Sequence, residues 1–226
     1  MKRNYITTAD GSSTIYLPDL DETYHSRHGA IQEAMHVFIK EGLHFTISTQ
    51  PNLKEISILE IGFGTGLNAF LTCLEIEGLD CKIDYTGVEA YPITSQDLQH
   101  INYANAIASG SKDMIFKALH DCPWEEKNTI SSRFSLLKQQ KSFTDIADKG
   151  LYNLIYFDAF GPRVQPELWS EAVFKIMFNA LKENGTLVTY SAQGNARRAM
   201  QAAGFVVERI PGPPGKREML RARKPV

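Results

Sequence analysis

The chain is poor in the features that would settle its class quickly. It has three cysteines, Cys73, Cys81 and Cys122. The number is odd and the spacing is not that of a metal knuckle, so a disulfide frame and a structural zinc site are both disfavoured and a reducing compartment is expected. No apolar run is long enough to span a bilayer. The N-terminus, Met1-Lys2-Arg3-Asn4-Tyr5, lacks the hydrophobic stretch of a signal peptide, so the expectation is a cytoplasmic protein without membrane contact. Neither charge sign dominates: 24 Lys and Arg stand against 26 Asp and Glu, a net charge of −2, which makes no global case for nucleic acid. Internal repeats and low-complexity tracts are absent. With 226 residues, 43% of them hydrophobic and 22% charged, the chain has the make-up of one globular domain with a substantial core and room for a small appendage.

What is present centres on Ile56-Ser57-Ile58-Leu59-Glu60-Ile61-Gly62-Phe63-Gly64-Thr65-Gly66-Leu67-Asn68. A short apolar run with the composition of a buried parallel strand breaks into three glycines on a period of two. It then resumes as Leu67, Phe70, Leu71 and Leu74 at helical spacing. Strand, glycine turn and helix bring a ligand against backbone N–H groups at a helix N-terminus. A dinucleotide turn reads G-x-G-x-x-G. Here an acid precedes three alternating glycines, and no Lys-Ser/Thr follows, which removes a nucleoside-triphosphate loop. The alternative of a ligand-free tight turn is weakened by three glycines in five residues, each a cost to a turn that binds nothing.

Upstream, a polar turn at Ala9-Asp10-Gly11-Ser12-Ser13 followed by Thr14-Ile15-Tyr16-Leu17 predicts a small hairpin. Ile31, Ala34, Met35, Phe38 and Ile39 predict a helix ending near Gly42. Residues 1–50 are therefore expected as an N-terminal extension or lid, and 51–226 as the main domain. Downstream, Ile83 to Glu89 reads as a second strand ending in an acid, about twenty residues past the glycines, where doubly wound folds place a ribose-binding carboxylate. Pro92 is expected to open a helix running to about Ala108. Phe134 to Leu137 reads as a third strand and Tyr152 to Asp158 as a fourth, again ending in an acid. Pro166 is expected to start an amphipathic helix that Asn184-Gly185 ends, before a fifth strand at Thr186 to Tyr190. A helix over 194–203 and two terminal strands predict an antiparallel edge on an otherwise parallel sheet.

Ligands of such sheets bind outside the carboxyl ends of the strands. Glu60, Gly62, Gly64, Gly66, Glu89 and Asp158 all fall there. A carboxylate such as Glu89 accepts hydrogen bonds from two adjacent ribose hydroxyls, and one at Asp158 could orient an amine nucleophile and stabilise the ammonium it becomes. From Arg197 to Lys224 there are eight Lys and Arg against Glu208 and Glu218, a basic end open to either phosphate binding or plain solvation. Tyr24, Trp124, Phe160 and Trp169 are candidate stacking aromatics, with Trp169 better placed for core packing. His25, His28 and His36 lack a partner set for a metal and read as pocket-lining or structural.

The acid-first glycine turn resembles the first motif of class I S-adenosylmethionine (SAM) methyltransferases. Gly62 to Asn68, Asp158-Ala159-Phe160-Gly161-Pro162 with Pro166-Glu167-Leu168-Trp169, and Gly215-Lys216-Arg217-Glu218-Met219-Leu220 resemble the methyltransferase domain of the MnmC-type tRNA-modification proteins. So do Asp10-Gly11-Ser12, Tyr24-His25-Ser26 and the run from Gly29 to Phe38. The resemblance implies an α/β class I SAM-dependent methyltransferase fold, Rossmann-like, with a small N-terminal extension. It implies methylation of the 5-aminomethyl group of the wobble uridine of tRNA. Asp158 would then face the substrate amine, with Glu60, Gly62, Gly64, Gly66, Asn68 and Glu89 on the cofactor side. Tyr24, Phe160, Pro162, Lys216 and Arg217 would meet the tRNA anticodon stem-loop. The chain departs from the pattern after the third strand, where Leu137-Lys138-Gln139-Gln140-Lys141-Ser142 offers no acid for the adenine amino group, leaving Gln140 as the candidate. It also ends at Val226, so the expectation is a methyltransferase without the FAD-dependent oxidase of the long members, taking its amine from a separate enzyme. A polyamine aminopropyltransferase, a small-molecule N-methyltransferase, and an RNA-binding module with a degenerate nucleotide site remain as alternatives.

Overall fold

The computed structural model describes residues 2–107 and 112–226. Strands β1 (Asn4–Thr7), β2 (Ser13–Leu17) and β3 (Glu22–Thr23) form a small antiparallel sheet that includes the expected hairpin. Next comes one uninterrupted helical stretch, called α1 here: Ala30–Ala34, then wider π-type turns over Met35–His44, then Phe45–Thr49. The expected stop near Gly42 is not a stop. At Gly42 the helix lies close against the sheet, since a Cβ there would be 3.0 Å from Val188 Cγ2 and 3.1 Å from Tyr156 Cε1.

The main sheet contains β4 (Glu55–Ile61), β5 (Lys82–Glu89), β6 (Lys127–Ser131), β7 (Phe134–Gln140), β8 (Tyr152–Phe157), β9 (Leu181–Thr189), β10 (Val206–Pro211) and β11 (Glu218–Arg223), in the order β10-β11-β9-β8-β4-β5-β7-β6. The five central strands are parallel, and β11 runs antiparallel to β9, as the sequence pattern predicts. A second antiparallel strand, β6 beside β7, was not legible, because its short polar run Lys127-Asn128-Thr129-Ile130-Ser131 has no strand-like alternation of buried positions. The helices are α2 (Leu67–Glu75), α3 (Ser95–Leu98), α4 (Tyr103–Ile107), α5 (Lys112–Asp121), α6 (Glu171–Ala180) and α7 (Gly194–Ala203).

Two helix starts differ from expectation for the same reason. A hydroxyl cap, not a proline, begins each helix. Thr94 closes a capping box with Asp97 two residues past Pro92, giving the short α3. Ser170 caps α6, and Pro166 instead opens a single 3₁₀ turn, Pro166–Trp169. The end expected near Ala108 lies outside the described residues. Helix α6 ends at Ala180, and Asn184-Gly185 sits within β9, where Asn184 takes a φ of 62°.

Side-chain alternation along the central strands divides the core. Ile56, Ile58, Leu154 and Tyr156 pack with Phe38 of α1 and Phe70 of α2 on one face. Leu59, Ile61, Ile155 and Phe157 pack with Phe174 of α6 and Met200 of α7 on the other. After β4 the chain builds outward through β5 to β7, then returns to β8 on the opposite side of β4. The switch point therefore falls between the carboxyl ends of β4 and β8. Among the described residues, no helix is long and apolar enough to cross a membrane.

Gly62 secures that switch point. Its φ is 86°, and a Cβ there would lie 2.7 Å from the carbonyl oxygen of Asp158. Gly62→Ala is expected to lower the unfolding free energy by about 1–3 kcal/mol, measured by denaturant titration. An unchanged midpoint would show that β4 and β8 can part without cost.

Candidate active site

A cleft of about 570 Å³ opens at the switch point, between the N-terminal sheet and the carboxyl ends of β4, β5 and β8; Tyr24, Gly62, Gly64, Glu89, Asp158 and Phe160 line it. The volume lies in the range of small-ligand sites. Its floor is the glycine turn. Gly64 (φ 50°) and Gly66 (φ 72°) both take left-handed angles, and Gly66 caps α2. A Cβ on Gly64 would lie 3.3 Å from the Tyr24 ring, so the glycine is what lets the N-terminal segment close over the turn.

Glu89, at the end of β5, accepts from the N–H of Gly64 at 3.0 Å and of Tyr91 at 2.9 Å. These bonds fix the carboxylate at the cleft wall while leaving lone pairs for further donors.

The other acids converge because of strand alternation. Glu60, Tyr156 and Asp158 fall on the face covered by α2, and Glu60 pairs in register with Tyr156 across β4 and β8. Asn68, in the first turn of α2, reaches both acids. Its amide nitrogen donates to Glu60 Oε1 and to Asp158 Oδ2, each at 2.9 Å. The Tyr85 hydroxyl donates to Glu60 Oε2 at 2.9 Å. Burial pushes the Glu60 carboxyl well above the usual carboxylate range, against the pull of the Asn68 and Tyr85 bonds. Burial also lifts Asp158 to about 7; the Asn68 bond and the Lys216 charge pull it down, while the Glu33 charge pushes it up.

Around this centre the ends of the chain are tied together. Lys216 forms an ion pair with Glu33 of α1 and sits 4.0 Å above the Tyr190 ring. Tyr190 in turn donates to the carbonyl of Ala159 at 2.9 Å. His25 shares a hydrogen bond with Thr65 of the glycine turn at 2.8 Å, and Thr65 shares one with Tyr103 at 2.9 Å. Burial holds His25 down to about 4, so its ring is neutral at physiological pH. The rings of Tyr24 and Phe160 meet edge to face at 5.2 Å across the cleft mouth.

The sequence relatives agree with this geometry. A family model described as S-adenosyl-L-methionine-dependent methyltransferase matches residues 133–225. The tRNA 5-methylaminomethyl-2-thiouridine biosynthesis bifunctional protein MnmC of Burkholderia multivorans is 30% identical over 224 residues, covering 92% of this chain and 33% of that protein. The protein of the same name from Actinobacillus pleuropneumoniae serotype 5b is 29% identical over 239 residues, covering 96% and 34%. Over nearly its whole length the chain is similar to the methyltransferase part of the MnmC proteins. It spans about a third of the length of these curated relatives. Among solved structures, MnmC2 from Aquifex aeolicus superposes with a TM-score of 0.76 at 23% identity, covering 100% of this chain and 72% of that one. Spermidine synthase from Thermotoga maritima gives 0.53 at 15% identity, covering 99% and 72%. These two share the fold.

The cofactor is SAM, the donor named by the family model that the chain matches. The site suits it: Gly62 and Gly64 line the cleft with backbone alone, and the Glu89 carboxylate stands where a ribose is held in sheets of this type. Gly66 lies behind this surface, packed against His120 and Phe63. Glu60 and Asn68 lie beneath it, fully and almost fully buried, and neither lines the cleft. Gln140 does not line it either. It pairs in register with Glu89 but is exposed at the end of β7, its N–H donating to Glu125 at 2.7 Å; Ser142, Phe143 and Thr144 form that wall instead.

Of the substrate-side candidates, Tyr24 and Phe160 reach the cleft and Pro162 is buried behind it. Lys216 is held in its ion pair with Glu33, and Arg217 is exposed. Trp169 is core, its indole N–H donating to the Phe160 carbonyl at 2.8 Å. Trp124 packs edge to face with Phe63 outside the cleft. Among the described residues no metal-binding cluster occurs. Glu33, Thr65 and Tyr190 escaped sequence reasoning, since each acts through a partner distant in the chain. Only the Glu33-Ala34-Met35 and Gly215-Lys216-Arg217 motifs hinted at the first.

Asp158 has a pH signature. Its carboxyl titrates near 3.8 ordinarily and near 7 in the fold, so between these values the folded chain binds more protons than the unfolded one. This group's contribution to stability therefore falls as pH rises from about 4 to about 7 and is level above. Asp158→Asn, which keeps an acceptor for Asn68, is expected to raise Tm relative to the unaltered chain at pH 8 but not at pH 4, read by calorimetry. A lower Tm at pH 8 would show that burial of the charge is not costly.

Proposed function

We propose that this chain transfers the methyl group of SAM to the amine of 5-aminomethyl-(2-thio)uridine at the wobble position of tRNA, giving the 5-methylaminomethyl nucleoside. The observation that carries the proposal is the Asp158 carboxyl on the cleft floor, poised near neutrality where an amine must lose its proton. The names of the relatives support the substrate, because a methylaminomethyl group is what N-methylation of an aminomethyl group produces.

When bound, the sulfonium donor supplies an electrophilic methyl group and leaves as a neutral thioether. Asp158, charged above about pH 7, accepts a hydrogen bond from the amine and orients its lone pair. As nitrogen takes the methyl and becomes ammonium, Asp158 stabilises the new charge and takes up the released proton. Tyr24 and Phe160 at the mouth offer a base two ring faces set at 88° to each other. Residues 1–50 serve as a lid, contributing Tyr24 and His25 to the cleft wall. Much of the basic C-terminal segment is paired internally: Arg209 with Glu218, Arg221 with Glu41 and Glu208, and Arg223 with Glu208. Arg197, Arg198 and Arg217 have no ion pair among the described residues and remain for RNA phosphates. A polyamine pocket wants several uncompensated carboxylates, and here Glu33 is neutralised by Lys216. A cytoplasmic location, with a separate enzyme supplying the aminomethyl uridine, completes the proposal.

The test is incubation of the protein with labelled SAM and tRNA from a strain lacking this methylation. Label at the aminomethyl wobble uridine is expected; label on free polyamines and none on tRNA would reject the reading. The rate should rise with pH through about 7 and level off above. Asp158→Ala should slow turnover by roughly 10²–10⁴-fold while SAM affinity, measured by calorimetry, changes less than about twofold.

A further inference from the structure

We propose that Asn68 is a positioning residue for Asp158 and not a contact for the methyl donor. The inference rests on the reading of Asp158 given above, and it starts from hydrogen-bond accounting. A primary amide has two N–H donors and one carbonyl acceptor. Both N–H groups of Asn68 are spent, one on Glu60 and one on Asp158, at 2.9 Å each. Its remaining polar atom, Oδ1, is buried with no protein partner. The residue is 2% exposed and does not line the cleft, so nothing of it is offered to a cofactor lying there.

The arrangement also determines what Asn68 does. Two carboxyl groups one strand apart would repel if both were charged, and the Asp158 charge adds to the burial that raises the proton affinity of Glu60. The amide sits between them as a shared donor, and the first turn of α2 fixes its place. Glu60 is held from its other side by Tyr85, so the position of Asp158 is set by a chain, Tyr85 to Glu60 to Asn68 to Asp158, that runs from the core to the cleft. The groups whose charge acts on Asp158 from other elements are Glu33 of α1 and Lys216 of the loop before β11, already paired with each other; Glu60 and the hydroxyls of Tyr85, Tyr103 and Tyr190 also feel its charge, which holds their protons on. Asn68 is the direct hydrogen-bond donor to its carboxylate, along with the backbone constraint that Asp158 N–H donates to Ile61 O at 2.9 Å.

The experiment compares the unaltered chain with Asn68→Ala and Asn68→Ser, reading three quantities. SAM affinity by calorimetry is expected to change less than about threefold. The single-turnover methyl-transfer rate is expected to fall tenfold or more. The acid limb of its pH profile should move to higher pH, because the lost donor favoured the charged carboxylate. Loss of SAM affinity by tenfold or more with an unmoved pH profile would overturn the proposal and return Asn68 to the cofactor. Carbon-13 NMR titration of the Asp158 carboxyl, assigned with Asp158→Asn, makes the test independent of substrate. The Asp158 midpoint should rise in both Asn68 variants, and an unshifted midpoint rejects the proposal. If the unaltered chain methylates no tRNA while that midpoint still shifts, the proposed substrate falls and the role of Asn68 stands. Should Asn68→Ala fail to fold, Asn68→Ser, which keeps a hydroxyl donor, carries the same readouts.

Discussion

Two carboxyl groups beneath one amide form the constraint on which this structure turns. Glu60 on β4 and Asp158 just past the end of the adjacent parallel strand β8 meet at the point where strand order reverses. Burying acids without compensation is costly, so the fold surrounds them with donors: Asn68 from α2 and Tyr85 from β5. Burial outweighs the Asn68 bond at Asp158 and leaves its carboxyl at about 7, near neutrality. Under the proposed function, the same burial that destabilises the charged acid suits it to exchange a proton with an amine.

The glycine turn serves this arrangement as well as the cofactor. Gly62 lets β4 and β8 approach until a Cβ on it would lie 2.7 Å from the Asp158 carbonyl oxygen, and Gly64 lets Tyr24 close from the N-terminal sheet. The first ~50 residues are thereby coupled to the site at several independent points. Tyr24 and His25 line the cleft, Glu33 meets Lys216, and α1 packs into the same core cluster as β4 and α2. His36 reaches the carbonyl of Pro211 at 2.9 Å, so α1 also holds the end of β10. Charge on the C-terminal strands is largely consumed by such internal ties. A local count of basic residues therefore overstates the surface available to RNA.

The sequence alone sufficed for features that depend on a few neighbouring residues. Strand–glycine–helix at Ile56 to Asn68, the strand-end acids Glu89 and Asp158, and the antiparallel C-terminal edge were legible because alternation and glycine spacing are local signals. Only the tertiary structure decided the rest. Gln140 looked like a cofactor contact, but at the end of β7 it lies exposed and outside the cleft. Lys216 looked like a phosphate ligand until α1 brought Glu33 to it across most of the chain. Asn68 sits in the glycine motif, yet its amide is claimed by one acid nearby in sequence and another far away. The physical reason is the same each time: hydrogen bonds and ion pairs are short-ranged, so a polar side chain's role is set by whichever partner the packed sheet places beside it, and that partner need not be near it in the chain.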